Sequence, residues 1–418
     1  MTPLIPILAA LAILTCPGAK AGETPFALHD GDRVVFYGDS ITQEGGYGRL
    51  VEEFTRSRYP LWNVRFYNAG VGGDKVQGGW AGKADLRVAR DVVSLKPTVV
   101  TIMLGMNDGQ YQPLTKATLD GFTQGYRAIV DKMRSSLPGV RIYLIRSSPF
   151  DDVTRPPGFG SGYDAVLRQL GDAVASIGAE EHLEVVDFGS RLEDGLRAVW
   201  AQNPDLAKQL LPDRVHPNPA GQLTMGSCLL HAWHAPALVT RVTIDAAAAK
   251  VTDAQNTTVY SLAPSSGALT WKQKDKALPI PVNFDDSDTD LAQKAGADLE
   301  SIDSEDLIVT GLKPGRYRLK IDSYDLGVFD ATALAAGINL ARYNSPMRAQ
   351  AYQVRWGPED GSMVERTRRQ MFVAADRNET GAAQAADTLA AHDESSQAAR
   401  SALAVPTEHM FSVAPASP

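Results

Sequence analysis

The sequence predicts an α/β protein with a parallel sheet over residues 33–235, followed by a smaller β-rich module with trailing helices. Three observations carry this. Short apolar runs alternate with helical patterns through the first stretch, which is the spacing of crossover units covered on both sides. One run, Pro97–Met103, is apolar enough to be buried on both faces, as parallel strands are. Beyond Pro236 the pattern changes to short β-type runs separated by turn signals such as Lys313-Pro-Gly315.

Taken in order, Arg33–Tyr37 is the first strand. Thr42–Ser57 reads as a helix, with Tyr47, Leu50, Val51 and Phe54 at helical spacing. Val64–Tyr67 and Pro97–Met103 are the second and third strands, and Phe122–Leu137 is a helix. Arg141–Ile145 is the fourth strand, Tyr163–Ile177 a helix, Leu183–Asp187 the fifth strand and Gly221–Trp233 the next helix. Val239–Asp245, Thr257–Leu262, Leu269–Lys272, Leu307–Val309 and Tyr317–Ile321 read as a small antiparallel β module. Phe329–Ala341 and Gln350–Phe372 look helical. From about 376 the chain is rich in Ala, Ser, Gln and acid, and reads as a weakly ordered helix or tail. The divisions are a signal peptide over 1–21, the α/β domain over 22–237, a β-rich module over 238–328, a helical segment over 329–375 and a low-complexity tail over 376–418.

A chain of 418 residues suits two domains, and 44% hydrophobic with 22% charged residues is the composition of a globular protein. The net charge of −8 argues against nucleic acid or an anionic membrane surface as partner. Leu4–Thr15 is a short apolar run, and Ala19-Lys20-Ala21 is a signal cleavage pattern that puts the mature start at Gly22. No Lys or Arg precedes the run. A lipoprotein signal ending at Cys16 is the weaker reading, because Thr15 is bulky for that position. The expectation is a secreted or periplasmic protein with no transmembrane segment. After cleavage Cys228 is the one cysteine, read as a small buried hydrophobe.

Four blocks carry chemistry: Gly38-Asp39-Ser40, Gly73 in a glycine-rich loop, Gly105-Met106-Asn107-Asp108, and Asp213-Arg214-Val215-His216. Ser40 follows a strand and precedes a helix, a turn that exposes the hydroxyl and aims helix amides at the same space. Read alone, Asp39-Ser40 also makes an ordinary helix cap. Gly73 lets a backbone N–H approach a substrate oxygen, or simply makes a turn. Asn107 is a neutral donor at any pH, or a turn asparagine. His216 has Asp213 close enough to fix its tautomer. Serine acyl transfer needs this set of nucleophile, base, orienting carboxylate and oxyanion donors. His231 and His234 are three apart on a helix, but no third ligand completes a metal site, and no cofactor is expected.

In series these blocks resemble those of the SGNH, or GDSL, hydrolases over about residues 30–235. The resemblance implies Ser40 as nucleophile, His216 as base and Asp213 as its orienter. It also implies an oxyanion hole of the Ser40 and Gly73 amides plus the Asn107 side chain, on a flavodoxin-like three-layer α/β/α sandwich. Ser147–Thr154 and the stretch Gly337–Ala341 with Ser345-Pro346-Met347 are similar to secreted bacterial members that carry a C-terminal β module. Asp151 and Asp152 read as loop caps. The export signal, the lack of a long apolar stretch for a lipid chain, and rings near the blocks (Tyr47, Trp80, Tyr111) favour removal of O-acetyl groups from a polysaccharide or oligosaccharide. The alternatives are a lipid or general short-chain esterase and, more remotely, an inactive surface binding protein.

Overall fold

A computed structural model describes residues 25–265, 267–355, 361–376 and 379–416. The leader over 1–21, with Cys16, lies outside the described residues. Five strands form the central sheet: β1 (Arg33–Gly38), β2 (Arg65–Gly70), β3 (Val99–Met103), β4 (Arg141–Arg146) and β5 (Glu184–Asp187). Their order is β2-β1-β3-β4-β5, and every pairing is parallel. β3 is buried along its whole length at the sheet centre, as its unbroken apolar run requires.

Helices cover both faces. The predicted helix over 42–57 is two helices, α1 (Ser40–Glu44) and α2 (Gly46–Arg58), broken at Gly45, whose φ of +81° is left-handed. Apolar spacing continues across that break, so periodicity alone could not find it. α3 (Ala84–Arg87) and α4 (Lys116–Ser136) follow. α4 starts one and a half turns before Phe122, capped by the Thr115 side chain on the Thr118 N–H at 3.1 Å; its first turns are polar and exposed. α5 is Tyr163–Glu181. α6 (Phe188–Gln202) and α7 (Pro204–Leu210) were missed, although Asn203 with Pro204 behind it is a standard helix start. α8 is Pro219–Ala232.

The remainder builds two further sheets. The new elements in chain order are β6 (Leu238–Asp245), β7 (Lys250–Gln255), β8 (Thr257–Ser265), β9 (Ala268–Asp275), α9 (Ser287–Lys294), β10 (Ser304–Thr310), β11 (Arg316–Ile321) and β12 (Tyr324–Asp330). They continue with α10 (Ala331–Ala336), β13 (Ile338–Asn339), α11 (Pro346–Arg355), α12 (Gly361–Asp376), α13 (Ala382–Leu403) and β14 (Glu408–Pro415). One sheet is antiparallel, in the order β8-β9-β14-β11-β12. The other runs β13-β10-β6-β7, and its β6–β10 pair is parallel. A purely antiparallel module is therefore corrected to a mixed pair of sheets. The parallel pairing is possible because residues 246–303 give the long connection it needs.

The expectation of a weakly ordered tail is also corrected. Residues 376–418 supply α13 and β14, the middle strand of the antiparallel sheet. In β14, His409, Phe411 and Val413 point inward in strict alternation, a strand signature masked by the bland composition around it. Phe329, expected in a helix, lies in β12.

Two cores result. The larger surrounds the first sheet and takes in Ile280, Val282, Leu291, Ala295, Leu299 and Ile302, so this stretch of the expected β module packs on the α/β domain. The second gathers Ile244, Trp271, Leu307, Leu319, Phe411 and Val413 between the later sheets. Across the junction, α13 closes the open edge of β2 with one side chain. Gln397 accepts the Phe66 N–H at 3.0 Å and donates to the Phe66 carbonyl at 2.9 Å, pairing with the strand as another strand would.

Candidate active site

β1 ends at Gly38, where a Cβ would meet Thr42 Oγ1 at 2.2 Å and the Met103 carbonyl at 2.7 Å. Only glycine fits this close approach. The next residue, buried Asp39, caps α1 by accepting the Ile41 N–H at 3.0 Å. Ser40 is thereby the first residue of α1, at the carboxyl end of the sheet, where open α/β sheets place ligands.

Two further side chains line up behind it. His216 Nε2 lies 2.9 Å from Ser40 Oγ, and His216 Nδ1 lies 2.6 Å from Asp213 Oδ2. The other carboxylate oxygen of Asp213 accepts the backbone N–H groups of Val215 at 2.9 Å and His216 at 2.8 Å. Partial burial opposes the charged form of Asp213, but the hydrogen bonds from His216 and Val215 outweigh it and hold the carboxyl below its ordinary range. An anion facing Nδ1 keeps the ring proton there and leaves Nε2 to accept the serine proton.

The loop carrying this pair is held by Arg214, which the sequence reading passed over. Its φ is +77°. Its guanidinium donates to the Asp151 carbonyl at 3.0 Å, Asp152 Oδ1 at 2.5 Å and the Pro156 carbonyl at 3.0 Å, and lies 4.6 Å from the Phe150 ring centre. Asp152 also accepts the Asp164 N–H at 2.9 Å, while Asp151 accepts the N–H groups of Val153 and Thr154. Both aspartates cap loops, and through Arg214 they also fix the His216 loop.

The second wall comes from the loop after β2. Val71 donates to the Gly38 carbonyl at 2.9 Å and Asp74 to the Val71 carbonyl at 3.1 Å. The Gly72 N–H reaches Gln43 Oε1 at 2.6 Å. Gly73 stands exposed at φ +73°, with open space where a Cβ would be. Its left-handed backbone suits glycine. Beneath it, Asp74 is buried against Arg87, with contacts of 2.8 and 3.0 Å. Sequence offered no signal for Arg87, which is wholly buried.

Asn107 follows β3. Its Nδ2 donates to the Asp74 carbonyl at 3.1 Å and lies 3.5 Å from Asp39 Oδ2. Its Oδ1 accepts from the Tyr111 hydroxyl at 3.3 Å. Asp39 and Asp108 form a buried acidic floor. Burial pushes each up to about 7, against the hydrogen bonds they accept from Ile41 and Val76. The four sequence blocks thus meet at the end of one sheet. Their chemistry is that of a serine hydroxyl, a proton acceptor and neutral donors beside it.

Of the three rings considered for sugar stacking, Tyr47 is corrected. It is fully buried against Phe36 and Phe188 and cannot meet a ligand. Trp80, 58% exposed, donates its ring N–H to the Gly72 carbonyl at 2.9 Å. Tyr111 is 45% exposed. A cleft of about 820 Å³ opens at His216 on the other side. Among the described residues no group of three metal-ligating side chains occurs, and His231 Nε2 faces the Asp298 carbonyl at 3.0 Å. Cys228 is half-buried, and burial pushes its thiol up to about 11.

Residues 36–223 match the GDSL-like lipase/acylhydrolase family. The chain is 27% identical over 224 residues to an acetylxylan esterase of Geobacillus stearothermophilus, covering 48% of this chain and 93% of that protein. It also superposes on a solved structure described as a gut microbial diltiazem-metabolizing enzyme. There the TM-score is 0.82 at 22% identity, over 94% of this chain and all of that one. That likeness shows that the whole architecture, with both later sheets, is a known fold. The domain is therefore an esterase or acylhydrolase.

Proposed function

We propose that the protein is an exported carbohydrate O-acetylesterase that works through an acyl-enzyme on Ser40. In this reading His216 Nε2 takes the Ser40 proton as Oγ attacks the ester carbonyl. The carbonyl oxygen becomes an oxyanion held by the Ser40 and Gly73 amides and by Asn107 Nδ2. As the tetrahedral adduct collapses, His216 gives its proton to the leaving alkoxide, and the acetyl group stays on Ser40. Water, deprotonated by His216, then releases acetate and restores the serine. Asp213 stays ionised and holds the ring.

The observation that carries this is the continuous relay from Ser40 to His216 to Asp213, at 2.9 and 2.6 Å. The carbohydrate half is supported by the acetylxylan esterase relative. Export is supported by the Leu4–Thr15 run and the Ala19-Lys20-Ala21 pattern. The test is acetate release across a panel of acetylated glycans, beside p-nitrophenyl esters of increasing chain length. Acetylated glycans should be hydrolysed, and the p-nitrophenyl rates should fall as the acyl chain grows. Rates rising towards octanoate would make the protein a lipid-type esterase, and no ester cleavage by the folded protein would make it a binding protein.

A further inference from the structure

The 820 Å³ cleft beside His216 is far larger than an acetyl group needs, and it sits within the ~300–1,000 Å³ of ligand clefts. Its walls come from both halves of the molecule. α2 and the His216 loop form one side; residues 282–289 and helix α11 form the other. The reaction itself says which half of an ester belongs there. His216 returns its proton to the leaving oxygen, so the alcohol must lie on the histidine side, while the acyl oxygen faces Gly73 and Asn107.

The lining identifies the alcohol's chemistry. Among the described residues, Glu44, Asp286 and Asp288 outnumber Arg49 and Arg355, which disfavours an anionic leaving group such as a phosphoglyceride or an acidic sugar. The half-buried Tyr352 offers a ring with a polar edge, the kind of surface on which a sugar stacks. Glu53 lines the same wall. It is only 6% exposed, and its Oε1, closed off from solvent, pairs with Arg355 Nε at 3.5 Å. Burial also pushes Glu53 up to about 7, so near neutral pH it can meet a hydroxyl as acceptor or as donor.

We infer that this cleft is the leaving-group subsite and takes an uncharged, polyhydroxylated alcohol, an oligosaccharide chain, with Glu53 and Tyr352 as its contacts. The inference rests on the acyl-enzyme reading above and adds that the C-terminal half of the chain, through α11, sets the substrate.

The experiment compares acetylated xylotetraose with p-nitrophenyl acetate, whose leaving group is too small to fill the cleft. The wild type, Tyr352→Ala and Glu53→Gln are each assayed on both, with thermal melts to show that each is folded. The ratio of kcat/KM for the tetraose to that for p-nitrophenyl acetate should fall at least fivefold in both variants. Unacetylated xylotetraose should bind the Ser40→Ala protein, and Tyr352→Ala added to it should weaken that binding at least fivefold. Smaller changes in folded variants, while the wild type still deacetylates xylotetraose, would overturn the inference and leave the esterase reading intact. A wild type inactive on the tetraose but active on octanoate, with Tyr352→Ala losing octanoate activity selectively, would place an acyl chain in the cleft and overturn the inference and the carbohydrate reading, while the acyl-enzyme on Ser40 would stand.

Discussion

Asn107→Ala separates an oxyanion donor from a turn residue. The Asn107 amide nitrogen carries two hydrogens. One is used on the Asp74 carbonyl at 3.1 Å; the other has only a long 3.5 Å contact to Asp39, which substrate can replace. Truncation leaves the Asp74 carbonyl without its donor and so costs about 1–3 kcal/mol of stability. The melting temperature of a chain this size should fall by only a few degrees. Loss of a donor to the developing oxyanion costs more, typically about 100- to 1,000-fold in kcat, or roughly 3–4 kcal/mol. KM should change little, because the bond forms mainly in the transition state. The assay is steady-state hydrolysis of p-nitrophenyl acetate beside a thermal melt on the same purified variant. A kcat within threefold of wild type, with a lowered melting temperature, would show that Asn107 only holds its turn.

Three further outcomes are expected. Asp213→Asn should lose less kcat than His216→Ala, since it spoils the orientation of the base but leaves the base in place; equal losses would put Asp213 in the proton transfer itself. Asp108 holds its proton up to about pH 7 when folded but only to about 3.8 when unfolded, so its contribution to stability is full below about pH 4 and is lost as pH rises to about 7. Asp108→Asn keeps an acceptor for the Val76 N–H, at 2.9 Å in the native protein. It should remove up to about 4 kcal/mol of that decline, read from denaturant melts at pH 4 and pH 7; unchanged curves would contradict the buried-acid account. Gln397→Ala should cost roughly 2–4 kcal/mol, because it strips both partners from Phe66 at the sheet edge; a change below about 0.5 kcal/mol would show that α13 does not close that edge.

The parallel sheet was legible in the sequence because each strand is an apolar run of the right length between helical patterns. The candidate site was legible because its residues sit on short motifs, three of them just past strands and the Asp213–His216 motif on the loop before α8. What stayed hidden depends on long-range partners. Arg214 lies inside a motif but acts through Asp151, Asp152 and Phe150, about 60 residues away in sequence, and nothing local marks it. Tyr47 was misplaced because an aromatic near a motif looks the same from sequence whether it faces solvent or the core. The tail reads as weakly ordered because composition is averaged over the whole stretch: its helix is held by scattered polar residues, Gln397 on Phe66, Ser401 on Arg56 and Arg400 on Glu52, and its strand by three alternating inward positions. The β6–β10 parallel pair could not be read at all, since short runs carry no information about which partner they meet.

In the proposed mechanism Ser40 becomes covalently acylated with His216 as its base. Incubation with a fluorophosphonate, followed by intact mass and peptide mapping, tests it most directly. A single adduct on Ser40, loss of esterase activity in step with labelling, and no adduct on Ser40→Ala are expected. An adduct at another residue, or full activity in Ser40→Ala, would contradict it.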